Sequence, residues 1–327
     1  MAAIDYQSLY QRPQHIASGL VKRGFPVYFR NVGQVGGREP VVIEGVNIYQ
    51  DWDKRPEGID NNSIYIIYYP AYAQYYNWND RTFLIYDCVD DFPDMNQYED
   101  YASRVSNLIV CTTKNLLDKF KSYNKEKVII SNGVDINDLP VDVNTEISSL
   151  KTKYDKVIGF VGALHFSWVD INLLYKVAEL NPNWAVVIVG HSYTWNFNNP
   201  KAPDNLIRLG TKPYNELKNY YAEFDIGIIP FLDNQISRGS NPIKLYEYAS
   251  FGIPIVGTDI FSDIGEPILY SYPAGNYNEC IRFINKAIDE NNKNNVQQRI
   301  NFAKDNSWDK KIDLLLDKIS TMTYLEN

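Results

Sequence analysis

Arg238, Lys244 and Glu247 fall within the segment Arg238-Gly239-Ser240-Asn241-Pro242-Ile243-Lys244-Leu245-Tyr246-Glu247, and their chemistry depends on a helix starting inside it. Asn241 suits the N-cap and Pro242 the first helical position, because proline lacks an N–H that would be unpaired there anyway. Gly252 can end the helix in a left-handed conformation, and Pro254 prevents its continuation. The helix start offers unpaired N–H groups and the positive end of the peptide dipole, which suit a phosphate, with Arg238 and Lys244 beside it and Ser240 and Asn241 in the approach. Glu247 lies three residues after Lys244, so both project from one face. A cation near the helix start and a carboxylate one turn on would hold a diphosphate and a ribose diol together. The competing reading is a capped surface helix with a solvated Lys/Glu pair.

A second cluster, Asp87, Asp90, Asp91 and Asp94, follows an apolar strand-like run. A carboxylate at such a strand end is placed to act as a general base, and neighbouring carboxylates raise one another's pKa. Each aspartate has the alternative of a turn or cap. His15, at the start of the first helix, is read as a contact to acceptor or diphosphate, or as packing. His165 follows Gly162 in a loop after a strand, and His191 follows the strand-like Val186-Val187-Ile188-Val189-Gly190. Both are candidate donor contacts. Gly210-Thr211-Lys212-Pro213-Tyr214 is a candidate base pocket, with backbone at Thr211 and Lys212 reading a uracil edge and Tyr214 stacking; a UDP-sugar is favoured.

The elements that must position these groups alternate from end to end. Strands are expected at 27–30, 42–49, 64–69, 83–86, 108–111 and 128–131, then at 156–161, 184–190, 206–209, 226–230 and 254–257. Helices are expected at 12–23 and 113–123, then at 171–180, 214–223, 242–250 and 278–291. This is the pattern of parallel sheets covered by helices, an α/β protein. The segment 135–153 has little apolar period and is the expected linker. It divides the chain into an N-terminal acceptor domain (1–140), a C-terminal nucleotide-sugar domain (141–305) and a closing helix (306–327) that crosses back. Only Met1–Tyr6 is available for a strand ahead of the first helix, so that strand is very short or the chain begins within it.

The 327 residues suit two domains. A net charge of −8 argues against nucleic acid as a partner, since phosphate backbones need a basic footprint. The acidity is uneven: residues 1–150 hold 14 Lys and Arg against 20 Asp and Glu, whereas 151–327 hold 18 against 20. The near-neutral half is the one that would accept an anionic donor. Cys88, Cys111 and Cys280 are widely spaced without a CxxC, which fits a reducing compartment and a cytoplasmic protein. No apolar run approaches a membrane span. Lys114, Lys119, Lys121, Lys125 and Lys127, with Leu116, Leu117 and Phe120, fall in one expected helix that either rests peripherally on anionic lipid or is a solvated face. The 26 tyrosines are read mainly as strand residues, with sugar or base stacking as the alternative.

Asn241-Pro242-Ile243-Lys244-Leu245-Tyr246-Glu247-Tyr248-Ala249-Ser250-Phe251-Gly252-Ile253-Pro254 resembles the donor-binding helix of GT-B glycosyltransferases. It is most similar to family 4-like enzymes of bacterial surface polysaccharide assembly, including the teichuronic-acid type. Gln11-Arg12-Pro13-Gln14-His15, Tyr86-Asp87-Cys88-Val89-Asp90-Asp91-Phe92, Asn132-Gly133-Val134-Asp135, Phe224-Asp225-Ile226-Gly227-Ile228-Ile229-Pro230-Phe231 and Ser307-Trp308 agree in the same order. The resemblance implies two Rossmann-like domains facing across a cleft, with sugar transfer from a nucleoside diphosphate to a saccharide or lipid-linked acceptor. It also implies that Glu247 binds the donor ribose and that Lys244, with Arg238, binds the diphosphate. Two positions depart from it. Gly239 stands where such enzymes often carry a second glutamate, and the loop Gly162-Ala163-Leu164-His165-Phe166-Ser167-Trp168 lacks the usual Arg and Lys.

Other chemistries fit less well. Gly33, Gly36 and Gly37 do not make GxGxxG and no helix follows, which argues against NAD. Asp51-Trp52-Asp53 has the letters of a metal-binding Asp-x-Asp but lies in a polar loop, and no His/Cys/Asp cluster has metal-ligand spacing. Neither metal nor cofactor is expected. A non-catalytic nucleotide-sugar-binding subunit and a GT-B epimerase are the alternatives.

Overall fold

The computed structural model describes residues 4–32, 41–49, 63–75, 82–136, 142–192, 202–261 and 263–324. The Gly33–Gly37 and Asp51–Asp53 segments lie outside them. Two compact units result. The first comprises Met1–Asn132, Gly239–Asn241 and Trp308–Asn327, and the second Gly133–Arg238 and Pro242–Ser307.

The first unit opens with α1 (Arg12–Lys22), where the Gln11 N–H donates to Gln14 Oε1 at 3.2 Å. Before α1, described residues 4–10 form turns rather than a strand, and Tyr6 packs edge-on against Phe29. β1 (Val27–Arg30), β2 (Val41–Ile43) and β3 (Val46–Tyr49) form a sheet in the order β1-β3-β2. The single strand expected at 42–49 is thus a hairpin. Glu44 (φ 51°) and Gly45 (φ 81°) both take left-handed conformations, which makes a two-residue turn whose twist matches antiparallel strands.

β4 (Ile64–Ile67), β5 (Phe83–Cys88), β6 (Leu108–Cys111) and β7 (Glu126–Ile129) form a wholly parallel second sheet in sequence order. Every residue of β5 is buried, as a parallel strand covered on both faces must be. The strand therefore runs on through Asp87 and Cys88, where the sequence suggested a loop. α2 (Asn96–Val105) follows, then α3 (Lys114–Lys119), capped by Thr113 Oγ1 accepting from the Leu116 N–H.

The lysine-rich segment is not one helix. Lys125 lies in a turn and Lys127 in β7, while Leu116 and Phe120 are buried in the core. Lys114 pairs with Asp118, and Lys119 with Asp91 and Glu99. Of the apolar residues in the segment, Leu116 and Phe120 face inward and Leu117 is half-buried against the same core. Among the described residues no helix is long and apolar enough to cross a membrane.

The second unit contains α4 (Thr145–Lys151), β8 (Lys156–Val161), α5 (Ile171–Leu180), β9 (Trp184–Val189), β10 (Leu206–Gly210), α6 (Leu217–Tyr221), β11 (Ile226–Ile229), α7 (Gln235–Gly239, its last residue counted with the first unit), α8 (Ile243–Ser250), β12 (Ile255–Thr258), β13 (Leu269–Tyr272), α9 (Tyr277–Asp289) and α10 (Lys293–Asp305). Part of the expected linker is thus helical: Asn144 Oδ1 caps α4 and Ile147 is fully buried. The strand order β10-β9-β8-β11-β12-β13 is all parallel and corresponds to 3-2-1-4-5-6, the doubly wound Rossmann order. Alternate residues of β9 enter two cores. Ala185, Val187 and Val189 pack with α6 and α8, and Trp184, Val186 and Ile188 with α5 and α9. Strand order reverses between β8 and β11, so their carboxyl ends flank the switch-point crevice.

Tyr248 of α8 pins the helix to β8, its hydroxyl accepting from the Val161 N–H at 2.9 Å and donating to the Gly159 carbonyl at 3.2 Å. Val134 and Ser307 form a parallel bridge, and the Val134 N–H donates to the Asn306 carbonyl at 3.1 Å. The chain therefore enters and leaves this unit side by side.

Gly190 ends β9 at φ 148°, and a Cβ there would stand 1.9 Å from the Gly162 carbonyl oxygen. Gly190→Ala is expected to cost roughly 3 kcal/mol of stability from backbone strain and overpacking, read as a shift in the urea-unfolding midpoint with unchanged slope.

Candidate functional site

In the second unit, Glu247 is buried on α8 at 3% exposure. Its Oε2 accepts from Lys244 Nζ at 2.6 Å and from the Tyr221 hydroxyl, on α6, at 2.9 Å. Lys244 Nζ also donates to the Tyr221 oxygen at 3.3 Å. Glu247 Oε1 is buried and accepts no hydrogen bond among the described residues. Burial, reinforced by Glu247, pushes the Tyr221 phenol well above its ordinary range, so it stays a donor. Lys244 and Glu247 are therefore joined as their spacing predicts. Tyr221 is a member of the group that sequence reasoning missed; the tyrosine pair just before the Phe224-Asp225 motif was its only signal.

Asn241 does not cap α8. Pro242 occupies the cap position in extended conformation, and the Asn241 side chain instead meets Asn132, its Oδ1 accepting from the Asn132 N–H at 2.8 Å. Asn132 Nδ2 in turn donates to the Asn241 carbonyl at 2.5 Å. Arg238 is exposed and directs both arms of its guanidinium at Asp233, at 2.6 and 2.9 Å.

Beyond β8, Gly162 (φ 155°) donates its N–H to the Val189 carbonyl. His165 stacks on Trp168 at 4.1 Å and on Phe166 at 4.8 Å, and its Nδ1 accepts from the Ser167 N–H at 3.1 Å. The loop thus holds an aromatic stack where the resemblance implied Arg and Lys. His191 and Thr211 are brought together in a pocket of about 410 Å³ at the carboxyl ends of β9 and β10, with Leu164, Gly190, Arg208 and Gly210 in its wall. Tyr214 is not in that wall; it starts a turn of 3-10 helix and packs against the core. Lys244 and Glu247 are not in it either.

In the first unit, Asp87 closes β5 at 2% exposure, and its Oδ2 accepts from Arg12 Nε at 2.8 Å. Arg12 Nη1 donates to the Ser131 carbonyl and to Asn132 Oδ1, each at 3.2 Å. The guanidinium lies 5.9 Å from the Trp308 ring, on which His15 stacks at 4.6 Å. His15 is buried, with Tyr10 against its edge. Burial and Arg12 together push the nearby Lys311 amine down to about 8. Asp90 is half-buried and accepts from the Ser240 hydroxyl at 3.1 Å. Asp91 binds Lys119 Nζ at 2.6 Å, and Asp94 sits in the exposed turn Pro93–Met95. Neither Asp87 nor Asp90 is raised by a neighbouring carboxylate. Burial raises Asp87 against the opposing pull of Arg12, and burial raises Asp90 against its bond from Ser240. No group of three His, Cys, Asp or Glu side chains that could hold a metal occurs among the described residues.

Residues 155–281 match the family "Glycosyl transferases group 1". Across 268 residues the chain is 25% identical to the Bacillus subtilis protein named "Putative teichuronic acid biosynthesis glycosyltransferase TuaH", covering 73% of this chain and 66% of TuaH, just under two thirds of its length. Sucrose-phosphate synthase from Thermosynechococcus elongatus superposes with a TM-score of 0.73 at 11% identity over 100% of this chain and 98% of its own. HepE from Anabaena, solved with UDP and glucose, superposes with a TM-score of 0.58 at 18% identity over 73% and 72%. At those identities the likeness carries the fold, and the fold is GT-B. The matched stretch runs from β8 into the first part of α9 and so contains Lys244, Glu247 and Tyr221.

Removing Arg12 strands the Asp87 charge in the core. Arg12→Met is expected to lower unfolding free energy by about 3–5 kcal/mol, whereas Arg12→Met with Asp87→Leu recovers most of it. Chemical denaturation of the two variants measures this.

Proposed function

We propose that this chain is a glycosyltransferase that moves a sugar from a nucleoside diphosphate sugar, UDP-sugar favoured, to a saccharide or lipid-linked saccharide in surface polysaccharide assembly. The pairing of half-buried Lys244 with buried Glu247, inside the stretch that matches the group 1 family, carries the reading. Glu247 takes a ribose hydroxyl. An ammonium has three N–H groups, and the two partners of Lys244 leave one for a phosphate oxygen. The first N–H groups of α8 add the dipole. The relatives support a nucleotide sugar: HepE was solved with UDP and glucose.

The transfer is metal-independent in this reading. The acceptor oxygen bonds to the anomeric carbon, the bond from that carbon to the phosphate oxygen breaks, and the diphosphate leaves with its charge met by Lys244 and the helix end. The acceptor proton passes to Asp90. Asp87 is shut away against Arg12 and Asp91 is held by Lys119, whereas Asp90 is half-buried, has a neutral hydroxyl as partner and a carboxyl raised by burial. Those are the properties of a base.

The test is nucleoside diphosphate release from UDP-, GDP- and dTDP-sugars with saccharide acceptors, with and without EDTA. Lys244→Ala is expected to weaken UDP binding at least about tenfold. Failure of every nucleotide to bind in thermal shift, or abolition by EDTA, contradicts the reading. Asp90→Asn is expected to lower kcat about 10²–10⁴-fold with donor affinity kept. A raised carboxyl must lose its proton to act, so the wild-type rate falls as pH drops through a value above the ordinary 3.8, and that acid limb disappears in Asp90→Asn.

A further inference from the structure

The tyrosine-rich run Tyr68-Tyr69-Pro70-Ala71-Tyr72-Ala73-Gln74-Tyr75 lies in the first unit and plays no part in donor binding. It follows β4 and forms a 3-10 helix, Pro70–Tyr75. The Tyr72 N–H donates to the Tyr69 carbonyl at 3.0 Å, the three-residue repeat that sets side chains at i, i+3 and i+6 in one column. Tyr69, Tyr72 and Tyr75 are that column. Tyr69 meets Tyr72 edge-on at 5.1 Å, and Tyr72 meets Tyr75 at 6.2 Å. The middle ring is buried with Ala73 in the core of the second sheet, whereas Tyr75 is 67% exposed. The column therefore runs from core to water, and its outer ring is backed by a fixed one.

Its place in the fold gives the column a task. The register pairs Ile67 with Tyr86, so the chain leaves β4 level with Asp87. Burial, with the Asp87 charge nearby, pushes the Tyr68 phenol well above its ordinary range. α2, which follows the loop of Asp90 and Asp91, packs along the 3-10 helix. The column and the aspartates thus share the carboxyl end of one parallel sheet, the end where such folds bind ligands. A pyranose presents a face of C–H groups that can lie on an aromatic ring while its hydroxyls keep their own hydrogen bonds. Gln74, exposed beside Tyr75, has an amide that both donates to and accepts from hydroxyls. One phenol next to an amide is too small and too polar a patch for an acyl chain.

We propose that Tyr75 is an acceptor-binding residue whose exposed ring stacks on the C–H face of a pyranose, at the outer end of the Tyr69–Tyr72–Tyr75 column. This rests on the glycosyltransferase reading above and deepens it: the part of the acceptor recognised here is a sugar ring, not a lipid.

The probes are the methyl glycosides of glucose, galactose, N-acetylglucosamine and N-acetylgalactosamine, offered at millimolar concentration to the full chain in saturation-transfer difference NMR. The wild type is expected to saturate at least one of them, most strongly at the C–H protons of one ring face. Tyr75→Ala, judged folded by its melting curve, is expected to bind that glycoside about three- to tenfold more weakly. Tyr75→Phe keeps the ring and is expected to stay within about twofold of the wild type. UDP titrated into the same samples reports on the donor reading separately and is expected to bind all three proteins alike. No saturation of any glycoside by the wild type, or glycoside binding unchanged in Tyr75→Ala, overturns the inference, and UDP binding then leaves the donor reading standing. Flotation on phosphatidylglycerol vesicles that is lost in Tyr75→Ala, with no glycoside bound, gives the ring to lipid and overturns it as well.

Discussion

The ion pair between Arg12 and Asp87 fixes the first unit around one buried charge. Both side chains are about 97% removed from water, at 3% exposure each, so neither tolerates loss of its partner. Because Arg12 also bonds the Ser131 carbonyl and Asn132, one guanidinium ties the start of α1, the end of β5 and the turn after β7. Asn132 passes the constraint on through its two bonds to Asn241, and Ser240 reaches Asp90. The short stretch before α8 is therefore held by the same polar system that orders the aspartates.

The same economy governs the second unit. Parallel strands buried on both faces admit polar groups chiefly at their carboxyl ends, and each one there must find a partner. Tyr248 satisfies β8 from α8, and Tyr221 satisfies Glu247 from α6. Several of the many tyrosines thus have a role that composition did not suggest: apolar bodies filling the core, with hydroxyls that join elements.

Most strands were legible because fully buried parallel strands write themselves as apolar runs; β8 and β6 fall at their expected bounds. What was hidden lacked that signal. α10 is polar along most of its length, and its buried Arg299 is satisfied by the Gly252 and Pro267 carbonyls, which no local pattern announces. The hairpin at Glu44–Gly45 hid because its flanks, Val41–Ile43 and Val46–Tyr49, are mostly apolar and read as one run. In the candidate site, Lys244 and Glu247 were readable because helical spacing brings them together. Arg12 with Asp87, 75 residues apart, and Tyr221 with Glu247, 26 apart, meet only through the fold. Asn241 misled because its residue type suits a cap, while the stronger demand came from Asn132.

Gly239 draws these constraints together. A Cβ at that position would lie 2.6 Å from the Cβ of Asp91 and 3.0 Å from its backbone nitrogen, so the space a side chain would need is already filled by the aspartate loop. The Gly239 carbonyl accepts from Thr113 Oγ1 at 3.4 Å, which seats the backbone against the same surface. The absence of a side chain at Gly239 thus permits the close approach of a segment that brings its own carboxylates. Of those, Asp87 is neutralised by Arg12 and Asp91 by Lys119, each bound at hydrogen-bond distance. Asp90 faces the hydroxyl of Ser240, the residue next to that glycine, so the glycine and the proposed base are two sides of one packing solution.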